Sequence, residues 1–476
     1  MRATLVLLGC FAAASAATPP FQRPSSSPTM VQAHKRHTAA PKPSLMVVAA
    51  EAKRPSFKWA ILSNWLYFLS LGMNAVNMAF LCRQITDGTT KPSPASILLS
   101  GNIEAVDKIL TFLGVASLAA LSDVHGRKPL MAWSAIGFGL TNLIQATATG
   151  PKALYLADLI DGCSSCMTPV CQAYVADCSA PADRAANLGI FQGLSIGMAF
   201  IFAFPIGGIL GTKFGPRVPL RIAAGLQMLN ALIIILVTPE ANPRSARAGR
   251  VVDWRAANPI GAMWRLFGRA PLLRSVATTY ALVTLARNAL DAQFINYASV
   301  RFGWSSQQTG PVMVIVGLML AIAPRVLVPL LGLRRAIVYG AAIFSAGLLA
   351  TGLSPNPAGF VGGLFVVSVG CVCIPALQAL LTNLAPPGEK GALLGALGSL
   401  TELDGAIGSR MYAAILASFV SDTPPLPGMP GMHFFVASAL MLVALAVAAH
   451  AFKVYAADAQ KAADGPAADG ADLDVM

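Results

Sequence analysis

Charge is scarce in this chain. Only 12% of its 476 residues are charged and 55% are hydrophobic, with a mean hydropathy of +0.63. A water-soluble domain carries about 25% charged residues, so a soluble globular chain is excluded, and so are disorder and a collagen-like repeat. Cysteine is sparse too. Of the eight, Cys10 lies in an N-terminal leader, Cys82, Cys163, Cys166, Cys171, Cys371 and Cys373 sit in apolar runs, and Cys178 ends one. They read as small apolar packing residues, not a disulfide framework. The pair Cys163 and Cys166 lies at i,i+3 on one expected helix, with no second pair or nearby His, so a metal or redox site is not expected.

Histidine clusters, nucleophile–base pairs and phosphate loops are also missing. The glycines Gly193, Gly197, Gly207, Gly208 and Gly211 lie inside an apolar run, without the Lys-Ser/Thr partner of a phosphate loop. Small residues there suit close helix contact. No enzymatic activity, cofactor or metal is expected. Acids are outnumbered, 21 to 34, for a net charge of +13. Residues 1–58, however, hold eight bases (Arg2, Arg23, Lys35, Arg36, Lys42, Lys53, Arg54, Lys58) and one acid, Glu51. The remainder is mildly basic, and nucleic acid is not an implied partner.

Arg2, the apolar stretch Leu5 to Ala14, and the cleavage pattern Ala14-Ser15-Ala16 make residues 1–16 a signal peptide. Residues 17–50 hold no acid and are rich in Ser, Thr, Pro and Ala. That is transit-peptide composition. The tandem resembles the bipartite leaders of algae with complex plastids, with Phe21 near the junction. It implies a plastid envelope destination, with the plasma membrane or an endomembrane as the alternative.

A membrane-spanning helix needs about 20 mainly apolar residues. Charge-free runs occur at 59–82, 129–151, 185–212, 222–239, 302–324 and 423–452. A seventh, 336–388, is divided by Ser354-Pro355-Asn356-Pro357. Stretches 97–121, 152–178, 271–299 and 389–420 carry a few internal charges. The expectation is an all-α membrane protein of twelve transmembrane helices in two pseudo-symmetric six-helix bundles, 58–238 and 271–454. A basic linker, 239–270, with a surface helix around Trp264, joins them, and an acidic tail, 455–476, is expected to be disordered.

The two halves repeat. A slide of 206 residues places Pro169, Gln172, Ala173, Pro181, Ala186, Leu188, Gly189 and Leu194 on Pro375, Gln378, Ala379, Pro387, Ala392, Leu394, Gly395 and Leu400. Gly126 falls on Gly332 at the same offset. This is the parallel repeat of two-bundle secondary transporters. One set of loops holds Arg127, Lys128, Arg184, Arg244, Arg247, Arg250, Arg255, Arg265, Arg269, Arg274, Arg334, Arg335 and Lys390. The other holds only Arg83, Lys91, Lys152, Lys213, Arg217, Arg221 and Arg301. The excess puts the first set, and both termini, on the inner side.

Leu121-Ser122-Asp123-Val124-His125-Gly126-Arg127-Lys128 lies between spans 2 and 3. It resembles the loop signature of the major facilitator superfamily, with Ala119 at the signature's first Gly. Gly101 to Lys128, Ala173-Tyr174-Val175-Ala176-Asp177 with Arg184, Asp253-Trp254-Arg255-Ala256-Ala257-Asn258-Pro259, and Arg301-Phe302-Gly303-Trp304-Ser305 resemble that superfamily's tetracycline/proton antiporter-like branch, which includes the hippocampus-abundant-transcript proteins. The resemblance covers about 58–454. It implies a secondary active transporter working by alternating access as a monomer, with spans 1, 4, 7 and 10 around a central cavity. Asp123, Gly126, Arg127, Lys128, Asp177 and Arg184 would form its conformational switch. Arg127 would pair with Asp177, and Asp123 would lie near the start of span 11, around Gly388.

This chain also departs from the branch. The span 5 signature keeps Pro205, Gly207 and Gly208 as a helix-packing motif but has Phe204 before the Pro. Asp158 stands where span 4 of the branch carries Arg. The second-half loop is reduced to Gly332, Arg334 and Arg335. Proton antiport, uniport and symport therefore all stay open, beside a transport-dead receptor or scaffold that keeps the fold.

Charges inside a bilayer cost several kcal/mol unless they are paired or wet. The candidate solute and ion pathway is therefore Asn64, Asn74, Asn77, Asp107, Lys108, Asp158, Asp161, Arg287, Asp291, Gln378, Glu402 and Asp404. The partners implied are a small polar or amphipathic solute, protons and the lipid bilayer. Counting 1.5 Å per residue sets Lys108 on span 2 level with Glu402 and Asp404 on span 11, and predicts that it meets one of them.

Overall fold

In a computed structural model, the described residues are 55–464, apart from 90, 181–182, 248, 250, 253, 255–257, 269, 385–389 and 427. The signal peptide, the transit-like segment up to 54, Gly388 and the tail beyond 464 lie outside them.

Span 1 is Phe57–Asp87, span 2 Pro94–His125 and span 3 Arg127–Thr147. Span 4 is built from two helices, Pro151–Ser164 and Met167–Cys178. Span 5 runs from Arg184–Phe191 through a π-helical stretch, Gln192–Gly197, into Met198–Phe214. Span 6 is Arg217–Leu236. Span 7 is Pro271–Phe302. Spans 8 and 9 form the continuous stretch Ser306–Leu353, broken by Gly332, whose backbone is not helical. Span 10 is Pro357–Gly370 followed by Cys373–Leu384, span 11 is Lys390–Val420 and span 12 is Met432–Val454. Among the described residues, seven helical stretches are long and apolar enough to cross a bilayer, one of them the double stretch 306–353. Spans 3, 7 and 11 fall outside that set because their polar residues lower the mean hydropathy, and span 4 because it is split into two short helices.

Local chemistry sets the boundaries. Ser93 and Ser96 form a reciprocal capping box at the start of span 2 (3.1 and 2.9 Å), with Pro94 in the first turn. Gly88 ends span 1 and Gly303 ends span 7 in the left-handed conformation, at φ 65° and 66°. The internal repeat is visible in the backbone. Gly126 (φ 107°, ψ 160°) and Gly332 (φ 73°, ψ 160°) make the same turn between the second and third span of each half. Only glycine adopts such angles without strain. Pro151 and Pro357 open spans 4 and 10, and both spans break, at Ser165–Cys166 and at Cys371–Val372. Each of these pairs keeps the 206-residue offset.

Four expectations need correction. Span 12 begins at Met432 and not at 423, because Pro424, Pro425, Pro427 and Pro430 lie in the way and Gly428 has φ 80°. Span 8 begins at Ser306 and runs beyond 324, since Pro324 and Pro329 are held within the helix. The tail is not irregular from its start: Ala456–Asp464 is a helix, favoured by its alanines. It docks through Asn383 Nδ2, which donates to the Ala462 carbonyl (2.9 Å), and Arg334, which donates to Gln460 (2.9 Å). Finally, Cys163 and Cys166 do not share one helix. Cys166 caps the second half of span 4 and is buried, whereas Cys163 is exposed and is not a packing residue. The described cysteines are all free thiols.

The linker contains the expected surface helix, Pro259–Phe267, with Asn258 accepting from the Ile260 N–H (2.9 Å) and Trp264 exposed. Leu266 faces inward and joins the core of the second bundle. That core is rich in aromatic rings: Phe294 stacks on Phe360 at 5.8 Å, and Tyr297 meets Phe434 edge-on at 4.9 Å. The first bundle packs around Phe138, Tyr174 and Phe191.

Candidate functional site: the switch loop and the polar interior

Arg127 organises the loop after span 2. Its Nε bonds Asp177 Oδ2 (2.8 Å), Nη2 pairs with Asp123 Oδ1 (2.6 Å), and Nη1 donates to Ser122 Oγ (2.6 Å). A charge this well buried needs such partners. The structure adds Glu240, at the end of span 6, which the sequence reading missed. Its carboxylate accepts the backbone N–H groups of Arg127 (2.9 Å) and Lys128 (3.1 Å), neutralising the N-terminus of span 3. The available signal was an acid stranded in an otherwise basic linker. Asn242 donates to the Asp123 carbonyl (3.1 Å), and Arg247 to that of His125. Asp123 thus pairs within its own bundle here, and Gly388 lies outside the described residues. Arg184 opens span 5 and is exposed.

Spans 2 and 11 and spans 5 and 8 carry the main contacts between the bundles. Gly208 lies so close to span 8 that a Cβ there would collide with the Ser306 carbonyl. Gly207 is pressed against span 1, where a Cβ would meet Met73 Cα at 2.8 Å. Pro205 faces Gly310 of span 8, whose Cβ would come within 3.1 Å of its Cα. Ser306 Oγ donates to the Gly208 carbonyl (3.1 Å), and the Gln307 N–H to Thr212 Oγ1 (3.1 Å). Farther round the same side, Arg83 donates to Ser299 Oγ (2.8 Å) and Asn296 Oδ1 (3.2 Å), and Asn296 Nδ2 to Ser100 Oγ (3.1 Å). Among the described residues, these hydrogen bonds between the bundles all lie on the side opposite the Arg127 loop.

A Gly208→Val substitution should therefore wedge that side apart, since overpacking against backbone costs about 1–3 kcal/mol. In a background without native cysteines, maleimide labelling of Thr212→Cys should rise several-fold and the melting temperature should fall. Unchanged labelling and melting would show that the contact is loose.

The polar interior divides into two parts. Three asparagines of the candidate pathway form hydrogen bonds within the first bundle. Asn64 is fully buried; it donates to Ser195 Oγ (2.8 Å), inside the π-helical stretch, and accepts from Thr168 (3.1 Å). Asn77 is also fully buried and donates to the Met73 and Gly207 carbonyls (2.8 and 3.0 Å). Asn74 donates to Asn142 (2.9 Å) and Gln145 (2.6 Å), and Gln145 in turn donates to Asp158 (2.8 Å). A hydrogen-bonded chain thus runs from span 1 through span 3 to span 4.

The charged residues gather between spans 2, 4, 7 and 11. Lys108 meets Glu402 at 3.0 Å, a charge contact across the bundle interface, and its alkyl stem lies over Gly405. Asp404 goes elsewhere, accepting a short hydrogen bond from Thr284 of span 7. Asp107 lies within interaction range of Lys108 and Glu402, Asp161 of Asp107 and Asp158, and Asp158 of Asp107. The Oδ1 atoms of Asp107 and Asp161 are buried without a hydrogen-bond partner. Arg287 and Asp291 pair along span 7 at 3.0 Å, both substantially exposed. Gln378 donates to the Tyr280 hydroxyl (2.9 Å), which shares a hydrogen bond with Thr401 (3.1 Å).

Two members of this group were missed. Glu104, one turn before Lys108, lies within range of Lys108, Asp107 and Asp291. Its signal was its i,i+4 spacing from Lys108. Tyr67 of span 1 lies near Asp161, Asp107 and Lys108, and no sequence signal set it apart from other aromatic residues. Among the described residues, the interacting set thus holds six carboxylates (Glu104, Asp107, Asp158, Asp161, Asp291, Glu402) and two bases, Lys108 and Arg287. No group of residues suited to a metal ion occurs among the described residues.

A profile of the Major Facilitator Superfamily matches residues 60–331. The class C tetracycline resistance protein of Escherichia coli is 26% identical over 369 residues, 77% of this chain and 89% of that one. Hippocampus abundant transcript-like protein 1 of Bos taurus is 23% identical over 415 residues, covering 83% and 81%. Among solved structures, the human organic anion transporter MFSD10 (TETRAN) superposes with a TM-score of 0.63 at 22% identity, over 83% of this chain and 99% of that one. The nucleoside transporter NupG does so with 0.64 at 13% identity, covering 83% and 99%. These superpositions establish a shared fold.

Proposed function

The chain belongs to the major facilitator superfamily, and from that membership we propose that it is a secondary active transporter exchanging an organic cation for protons by alternating access. The observation that carries this reading is the charge balance of the interacting set among the described residues: six carboxylates against two bases. Unbalanced carboxylates in a low-dielectric site repel one another. Bound protons or an incoming cation relieve that repulsion, and the two compete for the same groups. An organic anion, the substrate class of the MFSD10 structure, would add to the repulsion.

The closed side, with Arg83, Asn296 and Gly208 joining the bundles, supports rocking about the spans 2–11 and 5–8 contacts. In this reading the side carrying the Arg127 loop is the one that opens in the present conformation. In the opposite state Asp123 would leave Arg127 for the start of span 11, where the helix dipole favours an acid by about 0.3–1 kcal/mol.

The protein acts as a monomer in this reading, in the plastid envelope. Fusion of residues 1–58 to a fluorescent protein should direct it to the plastid. Retention in the endoplasmic reticulum or delivery to the plasma membrane would overturn the location and leave the transport reading intact.

Flux in proteoliposomes tests the function. Uptake of tetraphenylphosphonium into acid-loaded vesicles held at zero membrane potential should require the pH gradient and release protons. Flux of anionic probes alone, or cation flux indifferent to the gradient, would overturn the exchange.

A further inference from the structure

The internal repeat exposes a difference between the halves. After Gly126 the restarted helix has a carboxylate, Glu240, on its first N–H groups. After Gly332 the chain makes the same turn, but beside it lies a cavity of about 640 Å³. Gly332, Leu333, Arg334, Arg335, Lys453 and Gln460 line it, with Tyr339, Val338, Leu331 and Phe452 along its apolar wall. Among the described residues, three cations and no acid line this cavity. Arg334 is committed to the fold: it donates to Gln460 and to the Phe452 carbonyl (3.1 Å), and lies over the Phe452 ring. Arg335 and Lys453 are exposed.

We propose that this cavity, at the junction of spans 8, 9 and 12 and the C-terminal helix, binds the phosphate of an anionic phospholipid headgroup. In the first half of the chain a protein carboxylate covers the corresponding helix start; in the second half an outside anion takes that place. Arg335 and Lys453 supply the countercharge, and the N-terminal end of span 9 adds its dipole. The location favours a lipid over a free ion. The cavity lies on the side of the basic loops, where polybasic surfaces meet anionic headgroups. Its wall continues through Leu331, Val338 and the half-exposed Tyr339 into the apolar surface around Leu330, which suits an acyl chain. The bound lipid would tie the turn between spans 8 and 9 to the C-terminal helix.

The test uses the full chain purified in neutral detergent. Thermal melting and native mass spectrometry are run with dioleoylphosphatidylglycerol, dioleoylphosphatidylcholine and inorganic phosphate at one ionic strength. The anionic lipid should bind and raise the melting temperature, while the zwitterionic lipid and inorganic phosphate should do neither. In an Arg335→Gln, Lys453→Gln variant the affinity should fall roughly tenfold or more, at about 1 kcal/mol for each charge removed. Equal binding of both lipids, or unchanged affinity in the variant, would overturn the site. Stabilisation by inorganic phosphate matching that by lipid would overturn the lipid assignment. Should the double variant fail to fold, the Lys453→Gln variant alone is read the same way. A photoactivatable phosphatidylglycerol must then label 331–339 or 449–463, and labelling elsewhere would reject the site.

Discussion

Replacing Lys108 with methionine should cost the protein much of its stability. The lysine lies mid-span, faces Glu402 at 3.0 Å and stands among Glu104 and Asp107 as well. Methionine keeps the alkyl stem over Gly405 but leaves those carboxylates without their cation. Removing one partner of a buried pair costs about 3–5 kcal/mol. This pair keeps about a quarter to a third of its side-chain surface exposed, so the loss should fall near the lower figure. The melting temperature in detergent and the yield of monodisperse protein would both drop. A Lys108→Met, Glu402→Gln double variant removes both charges and should recover about half the loss or more. If it melts no higher than Lys108→Met alone, Glu402 is not the carboxylate that matters. Because the pair joins span 2 to span 11, it also has a conformational reading. The double variant should fold but exchange between its two open states faster than the wild type, as judged by labelling from either side.

Neutralising Asp107 and Asp161 together should abolish proton-driven flux while leaving a folded protein. Both have a buried carboxylate oxygen without a hydrogen-bond partner, and Asn keeps the size and shape of each side chain. The double Asn variant also lowers the number of carboxylates in the set from six to four, which relieves repulsion. Stability is therefore expected to hold or rise slightly, while transport driven by the pH gradient falls by about 100-fold or more, in the range typical for loss of a positioned proton-transfer group. Exchange of labelled for unlabelled cation, which needs no net proton movement, should be reduced far less. Gradient-driven flux equal to wild type would remove these two acids from the coupling. An equal loss in both assays would assign them to cation binding alone.

Much of the architecture could be read from the residues. Apolar runs separated by Pro and Gly are themselves the physical cause of spanning helices, since backbone polar groups in lipid must be satisfied within the helix. That is why the Gly126 and Gly332 turns and the division of 336–388 agree with the structure, and why span 4 starts within one residue of the expected 152. The ends were less legible. Four prolines between 421 and 431 delay span 12, while Pro324 and Pro329 fail to stop span 8, because neighbouring helices can hold a proline inside a membrane helix. Composition alone does not separate these cases.

The charged residues of the candidate site were easier to read from the sequence than its polar ones. A carboxylate or ammonium in an apolar run is costly, so Asp107, Lys108, Asp158, Asp161, Arg287, Asp291, Glu402 and Asp404 could be named as candidates from spacing and cost, although Glu104 in the same run as Lys108 was passed over. Asn64 and Asn77 read the same way on paper, yet both turn inward and are consumed by Ser195, Thr168 and backbone carbonyls. A neutral amide is cheap enough to bury as packing, so its type does not reveal which way it faces.

The sequence by itself determined that this chain spans a membrane, in which direction its basic loops bias it, where its halves repeat and which residues are costly enough to need partners. All of that follows from local hydropathy, charge and backbone freedom. Tertiary structure alone decided the pairings. Lys108 took Glu402 and left Asp404 to Thr284, Glu240 came from the far end of span 6 to cover the start of span 3, and Gly208 closed on Ser306 across the bundle interface. Each depends on the rotation and depth of one helix against another. Those are fixed by the packing of whole faces, which no stretch of sequence specifies alone.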